Sequence, residues 1–245
     1  MTALNWVEQG SGQVERRGDG EYRMQISPQT ANGYANAQIA DYADRRGLCL
    51  TPPIELELDA RFDGIPVGTA GFGFWNAPYG AKVTDLRLPT AAWFFFSSER
   101  SNMALAVDRK ANGWKAAVFA PRLPLLLPLV PVAPVGFLLM RIRLLHRIFW
   151  PLGQHALGVA EVDMPPDTMF ERTHYRLLWL PDRTEFYVGG ALVLTGASPR
   201  GPLGFIAWID NQYAVVTPQG RFGGGTVDIS GDQCLTIDGL KMRVP

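Results

Sequence analysis

Ile54-Glu55-Leu56-Glu57-Leu58-Asp59-Ala60-Arg61-Phe62 alternates apolar and charged residues without a break. Successive side chains of a strand point to opposite faces, so a period of two fits a half-buried antiparallel strand and not a helix. Its carboxylates are read as a solvated face. The same pattern returns in short runs. Gly20 to Ile26 alternates and stops at Ser27-Pro28. Ala70 to Trp75 and Ala91 to Phe96 are apolar on both faces and read as central, covered strands. Tyr175 to Leu180 and Thr184 to Val188 flank the turn Pro181-Asp182-Arg183, and Gly189-Gly190 leads into Ala191 to Leu194. Leu203 to Ile209, Tyr213 to Thr217 and Leu235 to Val244 complete the series. Many short strands separated by Gly, Pro, Asn and Asp turns define an all-β, two-sheet antiparallel sandwich.

With 245 residues, 47% of them apolar, and 13 Phe, 7 Trp and 7 Tyr, the chain has material for one large core, read as a single domain over 1–245. A formal net charge of zero gives no whole-chain footprint for nucleic acid. Met1 to Gly20 is polar and lacks the apolar segment of a secretory signal, which predicts a cytoplasmic protein. Cys49 and Cys234 are too few for a disulfide framework and lack metal-ligand spacing. They read as two buried thiols, with a bridge between the terminal strands as the alternative.

Residues 121–155 break the rhythm. No charged residue stands between Arg122 and Arg141, a length close to a membrane span, yet Pro124, Pro128, Pro131 and Pro134 would each remove a backbone hydrogen bond from a spanning helix. The first half is read as an extended or kinked apolar loop. The second half, Val135 to Trp150, is free of proline and predicts about four helical turns. On that helix Arg143, His146 and Arg147 share one side, and Phe137, Leu138, Leu145, Phe149 and Trp150 spread over the rest. Three uses of this insertion stay open: a lid over the sandwich, a homodimer contact, or a peripheral membrane surface. Phe137, Arg143, Arg147, Phe149 and Trp150 would carry any of them.

A resemblance adds to this reading. Thr173-His174-Tyr175-Arg176-Leu177-Leu178-Trp179-Leu180-Pro181-Asp182-Arg183-Thr184-Glu185-Phe186-Tyr187-Val188-Gly189-Gly190 is similar to a hairpin signature of laminarinase-like glycoside hydrolases. Gly201 to Trp208 resembles the strand that follows it, and Gly71 to Trp75 the strand before the catalytic one. The resemblance implies a concanavalin A-like jelly roll. Retaining enzymes of that family carry Glu-x-Asp-x-x-Glu on one strand, so that alternate carboxylates enter the cleft as nucleophile and acid/base. The corresponding strand here, Ala91 to Glu99, carries Trp93-Phe94-Phe95-Phe96 and no carboxylate before its end. The pair Glu161-Val162-Asp163 is followed by Met164-Pro165-Pro166, so proline stands where a third carboxylate would fall.

The cleft floor is therefore expected to contain rings from among Trp75, Trp93, Phe95, Trp208 and Tyr213, with Asn76, Asn211 and Gln212 as further ligand-binding candidates. Rings stack on sugars and equally suit acyl or isoprenoid chains. Asp210-Asn211-Gln212-Tyr213 reads either as a surface loop or as a polar cluster in the cleft. In the second case Asp210 is a candidate base, Tyr213 a hydrogen-bond donor and Glu99 a secondary acid. Arg221-Phe222-Gly223-Gly224-Gly225 reads as a flexible loop bordering the cleft. His146 and His174 are isolated and form no metal site; no cofactor is expected, and a structural calcium stays open. The favoured reading is a site for an apolar or amphipathic small molecule (lipid, isoprenoid or glycolipid), acted on, if at all, by a cyclase, isomerase or unusual hydrolase. The alternative is a carbohydrate-binding or divergent glycan-processing sandwich.

Overall fold

The computed structural model of the protein describes residues 4–76 and 88–245. The alternating segments become β1 (Asn5–Gln9), β2 (Gly12–Gly18), β3 (Glu21–Ile26), β4 (Asn36–Ala40), β5 (Ile54–Asp63), β6 (Thr69–Trp75), β7 (Ala91–Ser97) and β8 (Gly113–Phe119). After the insertion follow β9 (Val159–Asp163), β10 (Thr173–Trp179), β11 (Arg183–Val188), β12 (Ala191–Ala197), β13 (Gly204–Asp210), β14 (Gln212–Val216), β15 (Phe222–Thr226) and β16 (Gln233–Arg243). Two seven-stranded antiparallel sheets form a sandwich. The first has the order β1-β4-β13-β6-β7-β8-β9 and the second β12-β11-β10-β5-β16-β3-β2. Because β16 pairs with both β3 and β5, the C-terminal segment closes the second sheet onto its N-terminal strands.

Alternation decides which side chains fill the space between the sheets. Ala70, Phe72 and Phe74 of β6, Ala92, Phe94 and Phe96 of β7, and Phe205, Ala207 and Ile209 of β13 all point inward, against Leu56, Leu58 and Phe62 of β5 and Tyr175, Leu177 and Trp179 of β10. Phe94 is the hub. Its ring lies 4.9 Å from that of Tyr175, 5.3 Å from Phe186 and 5.4 Å from Phe72, mostly edge-on as ring quadrupoles favour. The hairpin read from the sequence forms as expected: Trp179 pairs with Thr184, and Val188 pairs with Ala191 across Gly189-Gly190. Both glycines have positive φ (56° and 84°), the conformation a two-residue hairpin turn demands.

Several expectations need correcting. Glu55 does not belong to a solvated face. It is 2% exposed, and its carboxylate accepts hydrogen bonds from Arg176 and Arg243, which fold over it from the neighbouring strands. Burial alone would raise its pKa, but the two guanidinium hydrogen bonds bring it below the usual range. Arg221 to Gly225 is no loose loop: Phe222–Thr226 is β15, paired with β14 in a separate two-stranded ribbon. Cys234 is buried, but Cys49 is exposed, and the two are not bridged. His174 stands exposed on β10 with Nδ1 2.9 Å from Asp59.

The insertion is helical in both halves. Leu123–Leu126 forms α1 and continues through a 3₁₀ turn, Leu127–Leu129. Ala133–Leu139 forms α2, and Arg143–Leu157 forms α3. Pro124, Pro128 and Pro134 each fall in the first turn of their helix, where the missing N–H has no intrahelical partner to lose. That placement explains why proline spacing argued correctly against one long helix and wrongly against short ones. The predicted helix Val135 to Trp150 is broken at Met140–Ile142, and α3 runs past Trp150 through Pro151 to end on Gly158 in the left-handed conformation (φ 59°). A further short helix, α4 (Asp167–Phe170), precedes β10.

Candidate functional site

The same alternation that drives Phe72, Phe94 and Ala207 inward turns Gly71, Gly73 and Trp75 of β6, Trp93 and Phe95 of β7, and Ile206 and Trp208 of β13 to the other side of the first sheet. Strand register then places them side by side. Trp208 pairs with Gly71 and Gly71 with Phe95; Gly73 pairs with Trp93. Four rings touch as a result. Trp93 stacks on Phe95 (5.3 Å, 19°) and lies 5.5 Å from Trp208 and 6.0 Å from Trp75, with Phe95 to Trp208 at 6.0 Å. Trp75, Trp93 and Phe95 are half-buried and Trp208 is buried. The glycines of β6 make room for them. A Cβ on Gly71 would stand 3.1 Å from Trp208 Cη2, and one on Gly73 would stand 2.6 Å from Trp93 Cα.

Polar atoms fix the ring edges. Trp75 Nε1 donates to the Tyr42 hydroxyl. Trp208 Nε1 donates to Thr69 Oγ1 at 3.0 Å, and that hydroxyl donates to Asp210 Oδ1 at 2.8 Å. Asp210 thus anchors a ring rather than offering a base to the cleft. It is 5% exposed, and its Oδ1 also accepts from the backbone N–H groups of Thr69 and Gln212, each at 3.0 Å. Burial pushes its pKa up to about 6 against these hydrogen bonds. Asn211 is a second anchor: fully buried, it accepts from Ala35 N–H and donates to the carbonyls of Gly33 and Val227. Gln212 is exposed and Tyr213 half-buried, both on β14. The four-residue cluster is therefore split, its first two members tying strands together and its last two opening a ribbon.

Asn76 is 8% exposed and holds the chain at Leu88 and Thr90, donating to the first carbonyl and accepting from the second N–H. Glu99 is exposed beyond the end of β7. It lines a groove of about 520 Å³ together with Pro66, Ser98, Arg100, Asn112 and Asp228, at the strand ends and not over the rings. Of the insertion residues, Trp150 reaches the sandwich, donating to the Leu105 carbonyl at 2.7 Å and packing against the small cluster of Leu105, Ala106 and Val159. Phe137 meets Phe222 of β15 edge-on at 5.9 Å. Arg143, Arg147 and Phe149 are exposed.

Sequence reasoning missed Lys115. It follows Phe95 in the same cross-strand row and is 4% exposed. Its ammonium meets Glu161 at 2.7 Å and Asp163 at 3.7 Å, both from edge strand β9, and Glu161 also accepts from Ala106 N–H. Glu161 is thus paired with a buried cation, with Asp163 at the edge of the same pair. A lone lysine in an apolar run was the available signal, legible once β8 is recognised as a strand. Among the described residues, no group of three or more His, Cys, Asp or Glu side chains could hold a metal ion.

One consequence of the Asp210 environment is measurable. A carboxyl whose folded pKa of about 6 exceeds its ordinary 3.8 binds a proton more readily folded than unfolded, so stability falls as pH rises between those values. Asp210→Asn removes the buried charge and keeps an acceptor oxygen. Unfolding free energies from urea titrations at pH 4 and pH 7 are expected to differ less in the variant than in the wild type, by up to about 3 kcal/mol. An unchanged difference would place the titration elsewhere.

No family model matches the sequence, and no curated protein does. Solved structures do. A GlcNAcα1-4Gal-releasing endo-β-galactosidase from Clostridium perfringens matches over 98% of this chain with a TM-score of 0.50 at 13% identity. This chain spans 57% of that protein's length. A glycoside hydrolase family protein from Mycobacterium thermorestibile matches over 94% of this chain and 79% of its own, with a TM-score of 0.50 at 14% identity. At such identities the likeness is one of fold: the chain shares the β-sandwich fold of these proteins, which the hairpin resemblance implied.

Proposed function

We propose that the ring-bearing face of the first sheet binds a neutral glycan, and that the protein recognises carbohydrate without cutting it by the two-carboxylate route. The observation that carries this reading is the four-ring cluster on the face turned away from the core. Flat apolar ring faces match the C–H faces of sugar rings, while hydroxyls need polar partners only at the margins. The fold supports it, because both solved neighbours described above are named as carbohydrate-active enzymes. Retaining hydrolysis needs two carboxyl groups about 5 Å apart at the scissile bond. Among the outward positions of β6, β7, β8, β9 and β13 the carboxylates are Asp210, buried under its own hydrogen bonds, and Glu161 and Asp163 of edge strand β9, which are engaged by Lys115.

The sequence alone favoured an apolar ligand, and the same rings serve one, so the test carries both arms. The protein is run through native gels containing soluble β-glucan or β-galactan, and separately titrated with a lipophilic fluorescent probe. Retardation by a glycan, with no reducing ends released on long incubation, is the expected result. Probe binding at the rings without retardation by any neutral glycan would refute the reading.

A further inference from the structure

The inward side of the insertion packs on the sandwich: Trp150 and Leu157 of α3 lie against Leu105, Ala106 and Val159. Its other side is exposed among the described residues. Leu144, Ile148 and Leu152, one turn apart along α3, are 66%, 55% and 65% exposed. Leu127, Val130 and Leu138 before them are 66%, 63% and 59% exposed. Isolated apolar residues on a surface are ordinary, but a continuous patch of this kind marks a contact. Its charge identifies the occupant. From Arg109 to Ala160 the sequence contains no Asp or Glu, in a chain whose formal net charge is zero. Arg141, Arg143 and Arg147 are exposed among or beside the apolar side chains, with Asp108 at the border, 3.4 Å from Arg147.

We propose that this insertion docks on an anionic lipid bilayer, laying the outer sides of α1 to α3 into the boundary between headgroups and acyl chains with its arginines among the lipid phosphates. Leucines and isoleucines on one side and arginines at the margin are what such an interface takes up. A second copy of the chain fits the surface worse. In a two-fold contact the same patch faces itself, which would set arginines against arginines with no acidic residue from this segment to pair them. Spanning is not involved, since no described helix is long and apolar enough to cross a membrane.

The test is flotation of the full chain with vesicles of phosphatidylcholine plus phosphatidylglycerol, and with phosphatidylcholine alone. The wild type is expected to float with the anionic vesicles, less so at high salt, and to stay behind with neutral ones. Combined Arg141→Gln, Arg143→Gln and Arg147→Gln is expected to weaken partitioning by a factor on the order of a hundred. Leu144→Ser, Ile148→Ser and Leu152→Ser, all at exposed positions, are expected to abolish it with the circular dichroism spectrum unchanged. No flotation with anionic vesicles, or equal flotation with neutral ones, overturns the proposal. So does a lipid-free dimer in sedimentation velocity that the serine variant dissolves, in a protein that does not float.

Discussion

Phe94→Ala is expected to lower the stability of the fold by about 4 kcal/mol, and with it the melting temperature by about 10 °C for a chain of this size. The ring is fully buried and touches Phe72, Trp114, Tyr175 and Phe186, so truncation leaves a cavity that two sheets fixed by their hydrogen-bond ladders cannot close. Its neighbour in sequence is expected to do the opposite. Trp93 stands on the far side of β7, half-buried against three other rings. Trp93→Ala should cost less than about 2 kcal/mol of stability and weaken glycan affinity at least about tenfold, through loss of the ring that touches the other three. Thermal melts and calorimetric titration of the two variants make the comparison. Adjacent positions of one strand should separate folding from binding. If both variants lose stability and affinity in proportion, the rings on the far side are core and not a site.

The second large effect is expected at Lys115. Its side chain and that of Glu161 are 5% and 7% exposed, and the ammonium also meets the carbonyl of Lys110. Lys115→Met leaves the Glu161 carboxylate in a dry setting with only the Ala106 N–H, at a cost of about 3–5 kcal/mol. Adding Glu161→Gln to the same chain removes the stranded charge and keeps an acceptor for Ala106. The double variant is therefore expected to regain most of that loss in urea unfolding, which measures the coupling of the pair directly. A single variant within about 1 kcal/mol of the wild type would mean that water reaches the carboxylate and that the 101–112 segment is not tied to β9 through this pair.

The fold was legible because burial on a pleated sheet writes itself as alternation. β5, β10 and β11 could be read to within a residue or two, and the glycine pair after Val188 fixed a turn whose conformation only glycine adopts cheaply. Besides β2, β4 and β8, which also went unread, the segments that escaped notice include three without a readable alternation of their own. β1 is exposed along its length and lies at a sheet edge, β15 is mostly glycine, and β9 carries Glu161 because Lys115 of the next strand pairs with it. The rings at positions 75, 93, 95 and 208 could be gathered from the sequence, since even spacing within β6, β7 and β13 puts each on one face. Which face that was, core or outer, depends on the register between strands, and register comes from long-range pairing. The same gap misplaced Asp210. Polar residues after an apolar strand signal a loop or a site equally well, and only the three-dimensional neighbourhood of Thr69 and Gln212, with Tyr34 beside Oδ2, shows that the carboxylate is buried and already engaged.

The seven tryptophans supply a direct test of the ring face, because each contributes one indole N–H resonance in a ¹⁵N-correlated spectrum. Titrating in a neutral β-linked oligosaccharide is expected to shift the indole signals of Trp75, Trp93 and Trp208, assigned by single substitution, and to leave those of Trp114 and Trp179 between the sheets in place. Unmoved ring-face signals at a saturating concentration of bound sugar, or shifts confined to Trp6 or Trp150, would contradict the account.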